Sequence, residues 1–388
     1  MLCPLQSISV HDLEVSPAKA ARKTFWLSDP LSPDRRPPSP CVVGTIGAGE
    51  NGRRNLMRIG KVAGSILAIA FAAVTHAAIA QLAILKRVPV PASAGQCVAV
   101  NPTLNRIYLS GGASANQQVA ELSGATYAIV ILGPGSGASV DLATNRVWAA
   151  GVYDGSALVY DGVSRQLIQT VRLLACPVGT GYDSKHGRAW VGAQCGAGND
   201  PTFAVDGSTY QVEAKPIGSG GVYWGNPIAN PATGKVYFGA SSATNNGPPM
   251  SLSIDPANNF AQTVQSFGSV GAVDEVHNLL FAVPSAGGAQ LQIVTDGPGP
   301  GPVVRTVNLP FTVNAGALAV NPVLGHLYAA NSQRNSIEVL NEKTGARLKS
   351  IALGAGNNVI RMAADSRRNR LYALVQTANG TQLFVIRD

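Results

Sequence analysis

Three features of the 388-residue sequence predict an all-β fold, a seven-bladed β-propeller. A motif of about a dozen residues recurs seven times at spacings of 40–47 residues, the period of a four-stranded blade. Charged residues make up 13% of the chain, against about 25% in soluble domains. The 43 Gly and 25 Pro residues supply turns between many short strands. Together these features disfavour a helix bundle, and the apolar content excludes a chain that is disordered throughout.

The N-terminal 80 residues differ in character from the repeats. Residues 1–56 contain a Pro-rich polar stretch and are predicted to be disordered, or untranslated if synthesis starts at Met57. Residues 57–80 have a basic start, an apolar centre and small residues before Ala80, as in a secretory signal peptide. The apolar run is shorter than the roughly 18 residues of a membrane span. We therefore expect a periplasmic or secreted domain of residues 81–388 with no membrane span.

Cleavage after Ala80 changes the charge of the protein. The whole chain carries a formal net charge of +8, whereas residues 81–388 contain 20 basic and 16 acidic residues and carry +4. Binding of nucleic acid requires a concentrated basic surface with aromatic side chains that stack on bases. The mature chain has scattered arginines instead, so the sequence gives no strong indication of a nucleic-acid partner.

Each repeat is predicted to form one blade, whose strands we name a to d from the channel outward. An Asn or Gly occupies the turn between strands a and b, because these residues tolerate a positive φ. The seven turn residues are Asn105, Asn145, Gly187, Gly234, Asn278, Gly325 and Asn369. Asp or Asn also ends most a and c strands, as in SALVYD (156–161). We expect these side chains to accept hydrogen bonds from turn backbone rather than to act as catalytic acids and bases.

The seventh repeat has three strands where the others have four. It ends with TQLFVIRD (381–388), which corresponds to strand c. Residues 82–90, LAILKRVPV, resemble a strand d such as RLKSIALG (347–354). We expect this N-terminal strand to complete the last blade, so that the ring closes without an unpaired edge.

The repeated pattern, clearest in AVNPVLGHLYAANSQRNSIEVLNEKTGARLKSIALG (319–354), resembles the YVTN-type bacterial β-propellers, the YncE-like proteins. The resemblance covers residues 82–388. The Tyr-Val-Thr-Asn tetrad itself is altered, for example to YLSG, WAAG and YFGA. The resemblance implies a seven-bladed propeller in the periplasm or outside the cell, with no shared catalytic motif.

One aromatic residue recurs at the same position of strand b in every repeat, which predicts packing between blades. These residues are Tyr108, Trp148, Trp190, Tyr237, Phe281, Tyr328 and Tyr372. The three histidines of the mature chain, His186, His277 and His326, fall in a–b turns of different blades. Because they cannot converge on one ion, the sequence predicts no metal site and no cofactor.

Three cysteines follow the leader. Cys176 and Cys195 fall in loops that emerge on the same face of blade 3, so an oxidising compartment favours a disulfide between them. Cys97 lies at the start of the innermost strand of blade 1. It is either a buried free thiol or a reactive residue near the channel mouth.

Side chains that the repeat does not explain cluster in the b–c and d–a loops. These loops surround one mouth of the central channel, where variable loops on a rigid scaffold bind ligands. The candidate binding residues are Tyr223, Trp224, Asp154, Asp200, Asn245, Asn246, Arg334, Asn335 and Arg361. The aromatic pair Tyr223-Trp224 suits a sugar, a peptide or a protein surface, unless it plugs the channel.

Two classes of function remain. The first is a non-catalytic, monomeric propeller that binds a protein, peptide, glycan or other envelope component through the loop face. The second is a lactonase-type hydrolase, which needs acid, base or metal groups that converge at the mouth. The charged candidates Asp154, Asp200, Arg334 and Arg361 lie on separate blades, with no histidine among them. Binding is therefore the preferred interpretation.

Overall fold

The computed structural model describes residues 83–388 except 113–115, 153, 194–201, 214–220, 224–226, 243–249, 266, 285–287 and 298–302. Every described residue belongs to one compact unit, Ala72–Asp388. The predictions for residues 1–56 and for the signal peptide, 57–80, lie outside the described residues. No helix within the described ranges is long and apolar enough to cross a membrane.

The described chain is an all-β propeller of seven antiparallel sheets. The first strand is β1 (Ala83–Pro89). Blade 1 comprises β2 (Cys97–Asn101), β3 (Arg106–Ser110), β4 (Gln118–Ser123) and β5 (Ile129–Pro134). Blade 2 comprises β6 (Ser136–Asp141), β7 (Arg146–Gly151), β8 (Ser156–Asp161) and β9 (Leu167–Arg172). Blade 3 comprises β10 (Pro177–Asp183), β11 (Arg188–Ala193) and β12 (Thr202–Asp206).

The remaining blades follow in chain order. Blade 4 comprises β13 (Gly221–Tyr223), β14 (Ile228–Ala229), β15 (Val236–Ser242), β16 (Met250–Asp255) and β17 (Ala261–Gln265). Blade 5 comprises β18 (Ser269–Asp274), β19 (Leu279–Val283), β20 (Gln290–Thr295) and β21 (Val303–Asn308). Blade 6 comprises β22 (Leu318–Asn321), β23 (His326–Asn331), β24 (Ser336–Asn341) and β25 (Arg347–Ala352). Blade 7 comprises β26 (Asn358–Asp365), β27 (Arg370–Thr377) and β28 (Gly380–Arg387), with β1 as its fourth strand.

The innermost strands form a closed ring. In order around the ring β2, β6, β10, β14, β18, β22 and β26 each contact the next, and β26 contacts β2. At the seam, β1 pairs antiparallel with β28, from Ala83 opposite Arg387 to Pro89 opposite Gln382. Three single-turn 3-10 helices, Ala92–Ala94, Pro256–Asn258 and Ala315–Ala317, complete the described helical structure.

The a–b turns confirm the conformation expected from their Asn and Gly residues. All seven turn residues have a positive φ, from 49° at Asn369 to 75° at Gly234. The side chain that ends strand a accepts from turn backbone, as Asp141 Oδ1 does from the N–H of Ala143 at 2.9 Å. Asp206, at the end of strand c, accepts from the N–H groups of Ser208 and Thr209 at 2.9 and 2.7 Å. These local bonds fix the turns on one face of the propeller.

Asp296, which also follows strand c, has partners in the neighbouring blade. The turn that it is expected to hold continues into residues outside the described ranges, so that expectation stays a prediction. Its carboxylate also accepts hydrogen bonds from blade 4. The donors are Tyr237 Oη at 2.6 Å, Thr233 Oγ1 at 2.6 Å and Asn230 Nδ2 at 2.5 Å. Three donors of the neighbouring blade thus converge on one buried carboxylate. The repeat pattern alone does not reveal this contact between blades.

The recurring aromatic of strand b is buried in every blade, which confirms that it packs between blades. The exposed fraction is at most 4% for all seven residues. The ring centroid of Trp148 in blade 2 lies 6.4 Å from that of Tyr182 and 5.9 Å from that of Tyr210, both in blade 3. Trp148 also belongs to a hydrophobic cluster with Ala189 and Val191 of blade 3. The core therefore consists mainly of layers between neighbouring sheets.

The inner strand of blade 4 differs from the expectation. Both β13 and β14 pair with β15, Tyr223 opposite Ala240 and Ile228 opposite Tyr237. Tyr223 therefore lies in a strand and not in a d–a loop as predicted. Pro227, between the two segments, has no N–H to donate to β15, which favours an interruption of the ladder at this point.

Candidate functional site

A cavity of about 280 Å³ lies in the channel on the side of the d–a loops. Its described lining comes from the inner strands of blades 1, 4, 5, 6 and 7, from Gly239 on β15, and from the loop before β22. The polar side chains of this lining are Ser269, Asn314 and Arg361. The cavity thus opens where the b–c and d–a loops surround the channel.

Irregular pairing of the inner strands shapes the cavity. The register of β18 shifts between Val270 and Ala272, and that of β26 shifts between Val359 and Arg361. Such β-bulges bend a strand and redirect its side chains. They place Gly271 and Arg361 in the lining of the cavity.

Two glycines allow close approaches at this site. A Cβ atom at Gly316 would overlap the guanidinium of Arg361, and a Cβ atom at Gly271 would overlap the carbonyl oxygen of Ala315. Asn314 stabilises the turn that contains Ala315 and Gly316, because its Oδ1 accepts a hydrogen bond from the N–H of Gly316 at 3.0 Å. The backbone of this turn therefore forms the surface against which the Arg361 side chain lies.

The described lining of the cavity contains one charged side chain, Arg361, and no carboxylate, imidazole or thiol. None of the ion pairs found in the described part of the chain involves Arg361. A guanidinium presents a planar set of N–H donors that matches a carboxylate or phosphate. The arrangement is suited to hold an anionic group at the channel mouth.

Other predicted site residues have local structural roles. Asp154 Oδ1 accepts from Ser156 Oγ at 2.6 Å within the b–c turn of blade 2. The backbone N–H of Arg334 donates to Asn331 Oδ1 at 3.2 Å, and its side chain is exposed. Asn335 has a φ of 48°, and its carbonyl accepts from the N–H of Leu353. None of these three lines the cavity, whereas Arg361 does.

Several predictions concern residues outside the described ranges. They are Trp224, Asp200, Asn245 and Asn246 of the binding set and Cys195 of the disulfide. The Cys176–Cys195 disulfide therefore stays a prediction. Cys97 is described, and it is buried at the start of β2, opposite Ser110.

The three histidines lie in turns or at strand starts of separate blades, and each lies next to a carboxylate. His186 Nδ1 is 2.7 Å from Asp183 Oδ2, and His326 Nδ1 is 2.9 Å from Asp388 Oδ2. His277 Nδ1 is 2.8 Å from Asp274 Oδ2 and also 3.0 Å from Glu342 Oε1. Sequence reasoning blade by blade missed the contact with Glu342. A signal was available, because Glu342 stands where four other repeats have Gly.

Burial, and after it the nearby Asp274 carboxylate, raise the pKa of Glu342 to about 7. Burial also raises the pKa of Tyr237, and the Asp296 carboxylate adds to this effect. Conversely, hydrogen bonds from the backbone of Thr209 and the side chain of Ser208 lower the pKa of Asp206. The perturbed carboxylates that we name here belong to the face of the a–b and c–d turns, opposite the cavity.

Comparison with known proteins shows the fold only. No family model matches the chain, and no curated protein sequence matches it. A chain in the crystal structure of the mitotic checkpoint complex is similar, with a TM-score of 0.62 and 12% identity, over 90% of this chain and 99% of that chain. The Cps50 (Swd1) β-propeller domain of Myceliophteria thermophila has a TM-score of 0.63 and 11% identity, over 79% and 99%.

Hydrazine synthase of Kuenenia stuttgartiensis contains a further similar chain, with a TM-score of 0.60 and 12% identity, over 78% of this chain and 97% of that chain. All three alignments span nearly the full length of the similar chain. At identities this low the similarity establishes the seven-bladed propeller fold and no activity.

Proposed function

We propose that this protein is an exported, non-catalytic propeller that binds a protein or peptide through its channel mouth. Arg361 would receive an acidic group of the partner. The observation that carries the proposal is the cavity of about 280 Å³ whose described lining has Arg361 as its one charged side chain. An anionic group there would gain charge-assisted hydrogen bonds inside a partly enclosed site.

Binding is proposed over hydrolysis because of the chemistry of the described lining. A lactonase-type reaction needs a base, a metal or an acid placed at the reacting carbonyl. The described lining offers Ser269, Asn314 and Arg361 but no group that titrates near neutral pH. One similar chain comes from a mitotic checkpoint complex, and this supports a protein partner for the same scaffold.

The proposal includes export and the YncE-like relationship. β1 begins at Ala83, three residues after the predicted cleavage site at Ala80. Cleavage there would leave the strand that pairs with β28 intact. A Cys176–Cys195 disulfide would form in the same oxidising compartment.

A selection from a library of random peptides displayed on phage tests the binding proposal. The full-length protein is immobilised, and an Arg361→Ala variant is used for counter-selection. We expect enriched peptides to contain an acidic residue or a free C-terminal carboxylate. The matched control is Arg172→Ala, which removes an exposed arginine from the outer strand β9.

Binding of an enriched peptide should weaken by at least about tenfold in Arg361→Ala, since a hydrogen bond to a charged group contributes about 1.5–3 kcal/mol. It should stay unchanged in Arg172→Ala. Enriched peptides without an acidic group, or equal binding to wild type and Arg361→Ala, would contradict the role of Arg361. Selection of no peptide at all would contradict peptide binding itself.

A further inference from the structure

A second cluster of chemically active side chains lies between blades 5 and 6, on the face opposite the channel cavity. Asp274 ends β18, His277 lies in the following turn, and Glu342 follows β24 of the next blade. Their ligand atoms all lie within 4.8 Å of one another. Both carboxylates are at most 1% exposed, whereas the His277 side chain is 33% exposed and gives access from solvent.

The cluster has more acceptors than protons. Asp274 Oδ1 accepts from the N–H groups of Val276 and His277, and its Oδ2 pairs with His277 Nδ1. The nitrogen Nδ1 carries one proton at most, so it cannot also satisfy Glu342. Neither oxygen of Glu342 has a hydrogen-bond donor among the described residues. A buried carboxylate in this state is stabilised either by a proton or by a further positive charge, and a cation can take the place of the proton.

At four other blade interfaces, a basic side chain at the start of strand b reaches the corresponding position of the following blade. Arg106 and Lys235 donate to the backbone carbonyls of Gly162 and Gly297 in the following blade. Arg146 and Arg370 make the corresponding contacts with Gly207 at 2.5 Å and with Gly124 at 3.1 Å. These glycines occupy the position that Glu342 occupies in blade 6.

The interface between blades 5 and 6 combines the opposite features. Strand b of blade 5 begins with Leu279 instead of a basic residue, and Glu342 adds a negative charge. At the next interface the corresponding carboxylate, Asp388, has donors in His326 Nδ1 and Tyr328 Oη. In the described chain two blades have a carboxylate at this position. Asp388 has two hydrogen-bond donors, whereas Glu342 has none within the described ranges.

We propose that Asp274, His277 and Glu342 bind a divalent transition-metal ion, with Zn²⁺ as the best match. The site does not depend on the proposed peptide binding. One imidazole nitrogen and two carboxylate oxygens are suitable ligands for Zn²⁺, whereas Mg²⁺ and Ca²⁺ prefer oxygen ligands alone. Ligands about 2.0–2.2 Å from one ion lie roughly 3.3–3.6 Å apart in tetrahedral geometry. The 2.8 and 3.0 Å separations of His277 Nδ1 from the two carboxylates would therefore widen slightly, and all three ligand atoms already lie within 4.8 Å of one another.

The bound ion would connect the two blades. Asp274 and His277 belong to blade 5, and Glu342 belongs to blade 6. A ligand that binds the folded state alone stabilises it. Zn²⁺ should therefore raise the melting temperature of the protein as well as bind to it.

Isothermal titration of the full-length, chelator-treated protein with ZnCl₂ tests the site. We expect one tight site per chain, lost or weakened by at least about tenfold in Glu342→Gln and in His277→Asn, since even the loss of an outer-shell partner costs about 10–100-fold. The matched control is His186→Asn. His186 makes the same contact with Asp183, but the next blade has Pro256 where blade 6 has Glu342.

Several outcomes would overturn the proposal. The first is a wild type that binds no stoichiometric Zn²⁺. The second is a Zn²⁺ affinity of Glu342→Gln and His277→Asn equal to that of the wild type. The third is a loss of Zn²⁺ affinity in His186→Asn as large as that in the two ligand variants. A melting curve in EDTA shows whether each variant is folded. Because Glu342→Gln and His277→Asn change different ligands, one of them still tests the site if the other does not fold. The visible spectrum of the Co²⁺-substituted wild type should show d–d bands that Glu342→Gln changes; an unchanged spectrum would also count against the site.

Discussion

An Asn that ends strand a forms a hydrogen bond with the Asn in the a–b turn of the next blade. Where Asn ends strand a, its Nδ2 donates to the turn Asn of the next blade: Asn101 to Asn145 at 2.9 Å and Asn230 to Asn278 at 2.7 Å. Where Asp ends strand a, the next turn residue is Gly in three of four cases. The fourth case is Asp365, which precedes Asn105 around the ring. A carboxylate cannot donate, and Asn105 Oδ1 is buried without a partner.

This difference predicts unequal effects for two identical substitutions. Asn145→Gly should destabilise the protein by about 1 kcal/mol, because it removes a hydrogen bond that Asn101 makes. Asn105→Gly should be neutral or stabilising, because it removes an oxygen without a partner. Both residues have φ near +55°, which Gly adopts without strain. Urea unfolding of the two variants checks this, and equal losses would contradict the matched pairing.

Asp206 predicts a dependence of stability on acid. Its pKa is lower in the folded state than the ordinary value of 3.8, first through the backbone of Thr209 and then through the hydroxyl of Ser208. A lowered pKa contributes stability that is present above pH 3.8 and is lost as the pH falls through the folded-state value. Asp206→Asn should remove this part of the acid sensitivity.

Asparagine can keep the turn itself, since Asn341 makes the same bonds to Lys343 and Thr344 in blade 6. Urea unfolding at pH 7 and pH 3 should therefore give a smaller stability difference for Asp206→Asn than for the wild type. The effect is small because Asp206 is largely solvated. A pH dependence identical to that of the wild type would show that the carboxylate does not contribute.

At the level of strands, β1 holds the seam of the ring. Val88 and Val90 are buried in one cluster with Leu383 and Val385 of β28. Removing residues 1–80 should leave the melting temperature unchanged. Removing residues 1–90 should lower it and broaden the transition, because β28 would become an unpaired edge. Calorimetry of both truncations checks this, and equal transitions would mean that the seam does not need β1.

The sequence predicted most strands because their signals are local. SALVYD (156–161) coincides with β8, and the fourth-strand segments at 167 and 347 coincide with the starts of β9 and β25. Interruptions were not predicted. The separation of β13 from β14 and the shifts within β18 and β26 depend on pairing with neighbouring strands. Such pairing leaves no mark in the repeat of turn residues.

At the scale of the whole molecule, the repeat pattern pointed to the face on which the cavity lies but to few of the residues that line it. Of the predicted binding residues that the structure describes, Arg361 lines it. Asn314 and Gly316 were missed because they belong to a single irregular turn before β22. The cluster around Glu342 was missed because its three residues come from two blades. Sites formed between repeats require the register of both.

Hydrogen–deuterium exchange with an acidic peptide from the display selection tests the central claim most directly. On binding we expect protection at residues 269–271, 314–318 and 358–362, which surround the cavity, and none in the a–b turns. Arg361→Ala should show no protection at the same peptide concentration. Protection confined to the a–b turns or to the outer strands β9 and β25 would contradict binding at the channel mouth.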